Sequence, residues 1–559
     1  MYYAPTIILE RRMIKKILPY LLLFTALAGA TDISVDASQP ALYKLRKIFD
    51  VFRAANGFQP GRLSDMHSRK ARMFPAMTGR MYGFGDFFDV VRGSYPNFSY
   101  NFDTIDNSYV GPIIADGSDL ILGYCYMPVS LSAKDAYSPP DNYDAWEEFN
   151  FKWAKHFSSK YGINTFEVWN EPDFSDFFTG SQADYFKMYN YAVKGIRRAV
   201  PSARVGGPAL ASHTDWVGPF LDYCIQNNLP LNFISYHAQD NGFKDAGSDY
   251  LLRYQDINTE LDSRGMDSVD VICDEFSYKL DPSSLGSKYD KSVTAAWFAG
   301  TFKFILENMP RLSRFNKTIV DNGSSFSEWK YNGLITENNI PKAKYNVFRM
   351  YGMMPDSAIH ITTSDNDLNA MAAISDTAAA VMVWNKNNNP VPLALSLKKL
   401  PFSSNMVKWY VIDATHASYF DDSTTSELLL TGQISNSGTS FSYNASMPAN
   451  SVYLFVLDST GVVNALQDER HLPKTFSLKN YPNPFNPSTT IEYVIHKRTM
   501  VRLDILDIRG RTIKHLVNRP RNAGLHRVHF EAENLPSGIY FYRITTNRRI
   551  RTKKMMLLR

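Results

Sequence analysis

Two glutamates close apolar runs in matching ways. In Phe166-Glu167-Val168-Trp169-Asn170-Glu171-Pro172-Asp173 a strand-like run ends on Glu171, with an amide before it and a proline after it. In Val271-Ile272-Cys273-Asp274-Glu275-Phe276 a second run ends on Glu275. Cleaving a glycosidic bond with retention needs one carboxyl that stays protonated to release the leaving oxygen. It also needs a carboxylate ~5–5.5 Å away that attacks the anomeric carbon. Glu171 is the expected acid/base and Glu275 the expected nucleophile. Asn170, beside the acid, is placed to hydrogen-bond the sugar 2-hydroxyl, a contact that strengthens as the oxocarbenium-like transition state forms. A single strand-end carboxylate is often structural, so the weight rests on two glutamates in the same context.

Such a pair needs a scaffold that brings two distant strand ends together. From about residue 40 to 355 short apolar runs alternate with helical patterns, the signature of repeated βα units. Strands are expected near 50–55 and at 79–84, 120–127, 165–170, 204–209, 232–238, 269–276 and 312–320. Eight such units predict a (β/α)₈ barrel, an α/β fold whose strands all end on the active face, with Glu171 on the fourth strand and Glu275 on the seventh. Ser181 is expected to cap a helix with Asp184 at its third position, and Phe186, Tyr189, Val193, Ile196 and Val200 recur on one face until Pro201 stops it. Trp146, Phe149, Trp153 and Phe157 form a similar stripe that ends at Gly162, and both stripes read as core.

The motifs between 95 and 355 resemble glycoside hydrolase family 39. They include Tyr100-Asn101-Phe102-Asp103-Thr104-Ile105-Asp106, Tyr126-Met127-Pro128, Ser138-Pro139-Pro140, Glu167 through Asp173, Val205-Gly206-Gly207-Pro208-Ala209 and Phe233-Ile234-Ser235-Tyr236-His237. The resemblance implies a retaining enzyme of the β-xylosidase and α-L-iduronidase family. It implies Glu171 as acid/base, Glu275 as nucleophile, Asn170 and His237 as substrate contacts, and Arg80 as a second-strand arginine that supports the nucleophile. No metal or organic cofactor is implied. The chain departs from the family pattern where Arg80-Met81-Tyr82 replaces Arg-x-His and where Ala238-Gln239 follows His237. An Arg-Lys pair there would hold a uronate carboxylate, so iduronidase specificity is the weaker expectation although Asp274-Glu275 resembles its nucleophile motif. The eighth strand lacks the tryptophan that floors the sugar site in this clan, and Trp329 nearby either substitutes for it or packs.

Past Pro355 the pattern becomes alternating strands, including 378–384, 407–412 and 452–457, which predicts a β-sandwich over 356–458. It resembles the family's accessory domain, notably at Tyr410-Val411-Ile412-Asp413-Ala414-Thr415-His416. A polar linker is expected over 459–475. Residues 476–559 are again β-patterned and carry Asn480-Tyr481-Pro482-Asn483-Pro484-Phe485-Asn486-Pro487, Leu503 through Gly510, and Ser537-Gly538-Ile539-Tyr540-Phe541-Tyr542 before a basic end. This segment resembles a type IX secretion sorting domain, which implies a small Ig-like β-sandwich and the type IX secretion machinery as partner.

Charge and composition narrow the classes. Residues 476–559 hold 17 Lys/Arg against 5 Asp/Glu, while 31–475 carry a net charge of −10. An acidic body offers no basic reading face, so no nucleic-acid partner is expected. Residues 1–30 read as an export signal: Arg11, Arg12, Lys15 and Lys16 precede an apolar run from Ile17 to Ala30, with cleavage expected after Ala30. Met13 is an alternative start. That run is too short to span a membrane, which takes about 20 residues. Three cysteines make no disulfide framework. The sequence therefore predicts an exported hydrolase of oligosaccharides or polysaccharide-derived substrates with β-xylosidase-like specificity, released or attached at the outer surface. The alternatives are α-L-arabinosidase, β-galactosidase, less readily α-L-iduronidase, and a non-catalytic surface carbohydrate-binding protein.

Overall fold

Eight parallel strands close into a barrel in chain order: Phe49–Phe52, Lys70–Met73, Asp119–Leu122, Thr165–Glu167, Arg204–Leu210, Phe233–Asp240, Asp270–Tyr278 and Leu312–Thr318, the last pairing back onto the first. The computed structural model describes residues 30–52, 70–73, 77, 89–115, 118–240, 248–278, 290–318, 333–336, 340–364, 366–459, 478–481, 483–495, 499–521, 524–532, 535–546 and 550–558. Ile121, Phe233 and Ile272 pack into one buried cluster. They come from the third, sixth and seventh strands, so they meet by filling the lumen, as side chains do in barrels of this size. Gly206 on the fifth strand makes room beside Phe233: a Cβ there would lie 2.4 Å from the Phe233 carbonyl oxygen.

The second strand differs from the sequence expectation. It is Lys70–Met73, which pairs with Asp119–Leu122 on one side and with the first strand on the other. The expected strand at 79–84 lies outside the described residues, as do all of the export signal but Ala30, all of the linker but Ser459, and Trp329. Beyond the strand, the Met77 amide donates to the Cys125 carbonyl at 3.0 Å, so the chain still follows the third strand's exit there.

The outer helices carry the expected stripes. The helix Tyr143–Tyr161 buries Trp146, Phe149, Trp153 and Phe157, starts on the Asn142 side chain and stops at Gly162, whose φ of 72° a glycine adopts freely. The helix Gln182–Ala199 starts with a capping box: the Ser181 hydroxyl accepts from the Asp184 amide at 3.2 Å, and the Asp184 carboxylate accepts from the Ser181 amide at 2.8 Å.

Two further sheets share one apolar core. The four-stranded sheet runs Thr362–Thr363, Thr31–Asp36, Val391–Lys398, Phe441–Met447; the seven-stranded one runs from Leu430–Gly438 through Ser404–Ile412, Ser451–Asp458, Ala378–Asn385, Asn369–Ile374 and Ser357–Ile359 to Tyr43–Lys44. Thr31–Asp36, which precedes the barrel in the chain, lies inside the first of these sheets and is parallel to Val391–Lys398. Ile33 and Val35 fill the sandwich core from it.

Residues Asn464–Arg559 form a separate compact unit. Its three-stranded sheet (Leu478–Tyr481, Ser488–Ile495, Gly524–Glu531) and four-stranded sheet (Thr512–Arg521, Thr499–Leu506, Gly538–Thr546, Ile550–Leu557) bury a common core that includes Ile491, Tyr493, Leu503, Ile505, Phe530, Tyr542 and Ile544. Among the described residues no helix is long and apolar enough to cross a membrane. Cys125, Cys224 and Cys273 are buried, and no disulfide joins them to one another.

Candidate active site

The sixth and seventh strands run in register from Phe233↔Asp270 to Tyr236↔Cys273, then slip by one residue so that His237 pairs with Glu275. The residue left over is Asp274. A bulge of this kind re-aims the side chains that follow it. Here it sets Glu275 beside His237 and sinks the Asp274 carboxylate completely. A second slip lies between the fifth and sixth strands, where Ala209 is passed over and its amide donates to the Ser235 hydroxyl at 3.0 Å.

Glu171 reaches the same place by another route. The fourth strand ends at Glu167, so Glu171 lies four residues beyond it rather than on its last position. The Val168 amide still donates to the Gly206 carbonyl at 3.0 Å, and the Glu171 amide to that of Ala209 at 3.1 Å. Along this segment Trp169 and Glu171 adopt φ of 73° and 48°, while Tyr126, past the third strand, and Ala209, near the end of the fifth, have 66° and 56°. Left-handed non-glycine residues cost about 1–3 kcal/mol each and gather where a site demands the geometry. Four of them sit at the exits of the third, fourth and fifth strands. Trp169 is held by its indole N–H, which donates to the Phe177 carbonyl at 3.1 Å. Asp173 ties the loop to the next one by accepting from the amides of Ala211, Ser212 and His213, each at 2.8 Å.

His237 joins the carboxylates. Its Nδ1 lies 2.6 Å from Glu171 Oε1 and 4.0 Å from Glu275 Oε2, and its Nε2 lies 3.7 Å from Asp274 Oδ2. Burial would push this imidazole's pKa down, but the carboxylates of Asp274, Glu275 and Glu171 outweigh it and hold the pKa well above the ordinary histidine value. A protonated ring carries N–H on both nitrogens: Nδ1–H donates to Glu171 at 2.6 Å, while Asp274 acts on the ring by charge across 3.7 Å. Asn170 is buried next to Glu171.

Of the five residues singled out from sequence, Glu171, Glu275, His237 and Asn170 are thus described on one face of the barrel, and Arg80 lies outside the described residues. Sequence reasoning missed the placement of Asp274 and the tether made by Asp173. A bulge depends on pairing register, which local pattern does not encode. Asp173 left only a weak signal, an acid two residues past Glu171 at the start of a loop. Among the described residues no cluster of His, Cys, Asp and Glu has the geometry to hold a metal ion.

Known proteins match the same regions. The model described as Glycosyl hydrolases family 39 matches residues 98–389, and that described as Secretion system C-terminal sorting domain matches residues 479–558. A β-xylosidase of Caldicellulosiruptor saccharolyticus is 27% identical over 322 residues, 53% of this chain and 65% of that protein. One from Geobacillus stearothermophilus is 24% identical over 276 residues, 44% of this chain and 51% of that protein. The match therefore spans less than two thirds of either relative's own length. The crystal structure of a monomeric β-xylosidase from Caulobacter crescentus shares the fold with a TM-score of 0.61 at 18% identity, covering 76% of this chain and 99% of that one.

Proposed function

Since the chain belongs to glycosyl hydrolases family 39, we propose that it hydrolyses O-glycosidic bonds with retention of configuration and with β-xylosidase-like specificity. The observation that carries this reading is His237 standing between Glu171 and Glu275. Both carboxylate oxygens lie on the same Nδ1, at 2.6 and 4.0 Å, so their separation is at most those two distances laid end to end. That limit accommodates the ~5–5.5 Å of a retaining pair and lies at the lower edge of the ~6.5–9.5 Å of an inverting pair.

In this reading Glu275 attacks the anomeric carbon as Glu171 gives its proton to the departing glycosidic oxygen, and the C–O bond breaks to leave a glycosyl ester on Glu275. Glu171, now a carboxylate, takes a proton from water as the water oxygen attacks the same carbon, releasing the sugar and restoring Glu275. His237 holds Glu171 Oε1 through its 2.6 Å contact, so the proton that Glu171 gives is carried on its other oxygen. Asn170 bonds the 2-hydroxyl, and Arg80 supports the nucleophile. Two names among the relatives support the β-xyloside preference.

The catalytic unit in this proposal is the barrel over 40–355 with the sandwich over 356–458, which also takes in the strand Thr31–Asp36. The linker is 459–475, and the Ig-like sandwich of 476–559 is the address read by the type IX secretion machinery. The sorting domain indicates export, giving a secreted or surface-attached protein.

The test is hydrolysis of nitrophenyl β-xyloside, β-galactoside, α-arabinoside and α-iduronide by the protein, beside Glu171→Gln and Glu275→Gln. Cleavage of one glycoside that disappears in Glu275→Gln establishes the mechanism and names the sugar. A folded protein that cleaves none of these, and no oligosaccharide, is a binding protein instead.

A further inference from the structure

Four aromatic rings form a train along the loops that leave the third and fourth barrel strands. Tyr126 meets Tyr137 edge-on with ring centroids 5.7 Å apart and stacks on Phe177 at 5.4 Å. Phe177 continues to Phe174 at 6.3 Å. Tyr126 is buried, and Tyr137 and Phe177 are partly buried against it. The train ends in the open, with Phe174 44% exposed. Among the described residues only Phe174 and Tyr95 are aromatic side chains this exposed. Tyr95 belongs to the hairpin of Val91–Ser94 and Asn97–Tyr100, whereas Phe174 stands three residues past Glu171.

A lone exposed apolar side chain is ordinary on a protein surface. Phe174 differs in how firmly its backbone is held. Its amide donates to the Glu171 carbonyl at 3.1 Å, and its carbonyl accepts from the amides of Phe177 and Phe178 at 3.0 Å each. Immediately before it, Asp173 is fixed by three amides of the next loop. A ring on such a tethered turn, with another ring 6.3 Å behind it, has its backbone already in place, so a ligand that stacks on it pays only to settle one two-torsion side chain.

An acid/base carboxyl must reach the leaving oxygen, so the leaving group departs on its side of the bond. Resting on the reading of Glu171 as that acid/base, we propose that Phe174 is the stacking platform for the leaving-group sugar. It receives the C–H face of a pyranose and biases the protein toward oligosaccharides over glycosides with small leaving groups.

The experiment compares the full chain with Phe174→Ala and Phe174→Tyr on the disaccharide and on the glycosyl fluoride of the sugar that the nitrophenyl panel selects. Fluoride has no face to stack. The ratio of kcat/KM for disaccharide over fluoride is expected to fall about five- to tenfold in Phe174→Ala, the size of one aromatic contact, and to recover in Phe174→Tyr. A ratio that does not change overturns the platform. Disaccharide binding to Glu275→Gln, with and without Phe174→Ala, reads the same contact without turnover. If the protein hydrolyses nothing yet Phe174→Ala weakens that binding, the platform stands and the catalytic reading falls. Equal binding by both overturns the platform.

Discussion

His237 and Glu275 are register partners across the sixth and seventh barrel strands only because Asp274 is passed over. Without that slip Asp274 would hold the position opposite His237 and Glu275 would fall one place later, on the other face, since side chains alternate along a strand. Residue order in the Asp-Glu pair is thus a choice of which carboxylate stands beside His237. Glu275→Gln is expected to abolish turnover while leaving the fold intact, whereas Asp274→Asn, which keeps Glu275, is expected to retain it in part. Steady-state rates with circular dichroism check both; a Glu275→Gln variant with more than residual activity removes Glu275 as nucleophile.

Glu171→Gln separates the two steps of the proposed reaction. Loss of a positioned acid costs roughly 10²- to 10⁴-fold, and that loss falls on substrates whose leaving group needs the proton. A sugar leaving group needs it; a dinitrophenolate does not. The expected result is a steep loss on the disaccharide and a slight one in the first step with dinitrophenyl glycoside. The first-formed product, followed by proton NMR, retains the substrate's anomeric configuration. Inversion would mean a water between the carboxylates and no glycosyl ester.

The imidazole of His237 carries a stability signature with a definite sign. Its folded pKa lies well above the ordinary value, because three carboxylates outweigh the burial that lowers it. Such a group stabilises the fold fully below its unfolded pKa of ~6.5, and the contribution is lost as pH rises through the folded value. The gap in urea midpoint between the wild type and His237→Gln is therefore widest on the acid side and closes toward alkaline pH. Asp274→Asn, by removing the largest raising influence, brings the pKa of His237 down, which imidazole NMR reads directly. A gap that grows with pH contradicts the assignment.

Much of the barrel was legible because its strands are apolar runs ending at turns. The helix stripes at Trp146–Phe157 and Phe186–Ile196 and the Ser181–Asp184 cap follow from spacing alone. The second strand was not legible: Lys70-Ala71-Arg72-Met73 has no apolar run, and the aromatic stretch beyond it drew the assignment to 79–84. Thr31–Asp36 shows a clean alternation, with Thr31, Ile33 and Val35 buried, but its sheet partners, Thr362–Thr363 and Val391–Lys398, lie at the far end of the barrel sequence, and no local pattern names a partner at that distance. The site divides likewise. Glu171 and Glu275 were readable from context, while the contact that brings them together depends on register and on the left-handed turns at Trp169 and Glu171.

The Ser181 cap gives a prediction kept apart from catalysis. Its hydroxyl satisfies the Asp184 amide, and Asp184 returns the bond to the Ser181 amide. Ser181→Ala removes the first of these and leaves an amide at the exposed helix start to water, which costs ~1 kcal/mol within a range of about 0.5–2. Asp184→Ala is expected to cost a similar amount, and the double variant less than the two together, because each bond is held by the other's geometry. Urea denaturation of the four proteins checks this, with kcat/KM unaltered throughout.

The sorting unit supplies the last prediction. Residues Asn464–Arg559 bury a core of their own, with Ile491, Val501, Leu503, Ile505, Tyr542, Ile544 and Met555 from both of its sheets. None of the residues assigned to sugar cleavage belongs to it. A chain ending at Val463 is therefore expected to fold and to keep the kcat/KM of the full protein, since the barrel and its sandwich complete their cores without the tail. In a host with a type IX system the shortened protein should accumulate inside the outer membrane while the full chain appears in the medium or on the surface. Fractionation followed by glycosidase assay of each fraction reads both outcomes at once. If the truncated protein still reaches the outside, the basic C-terminal segment is not the address, and its strands serve adhesion or carbohydrate binding instead.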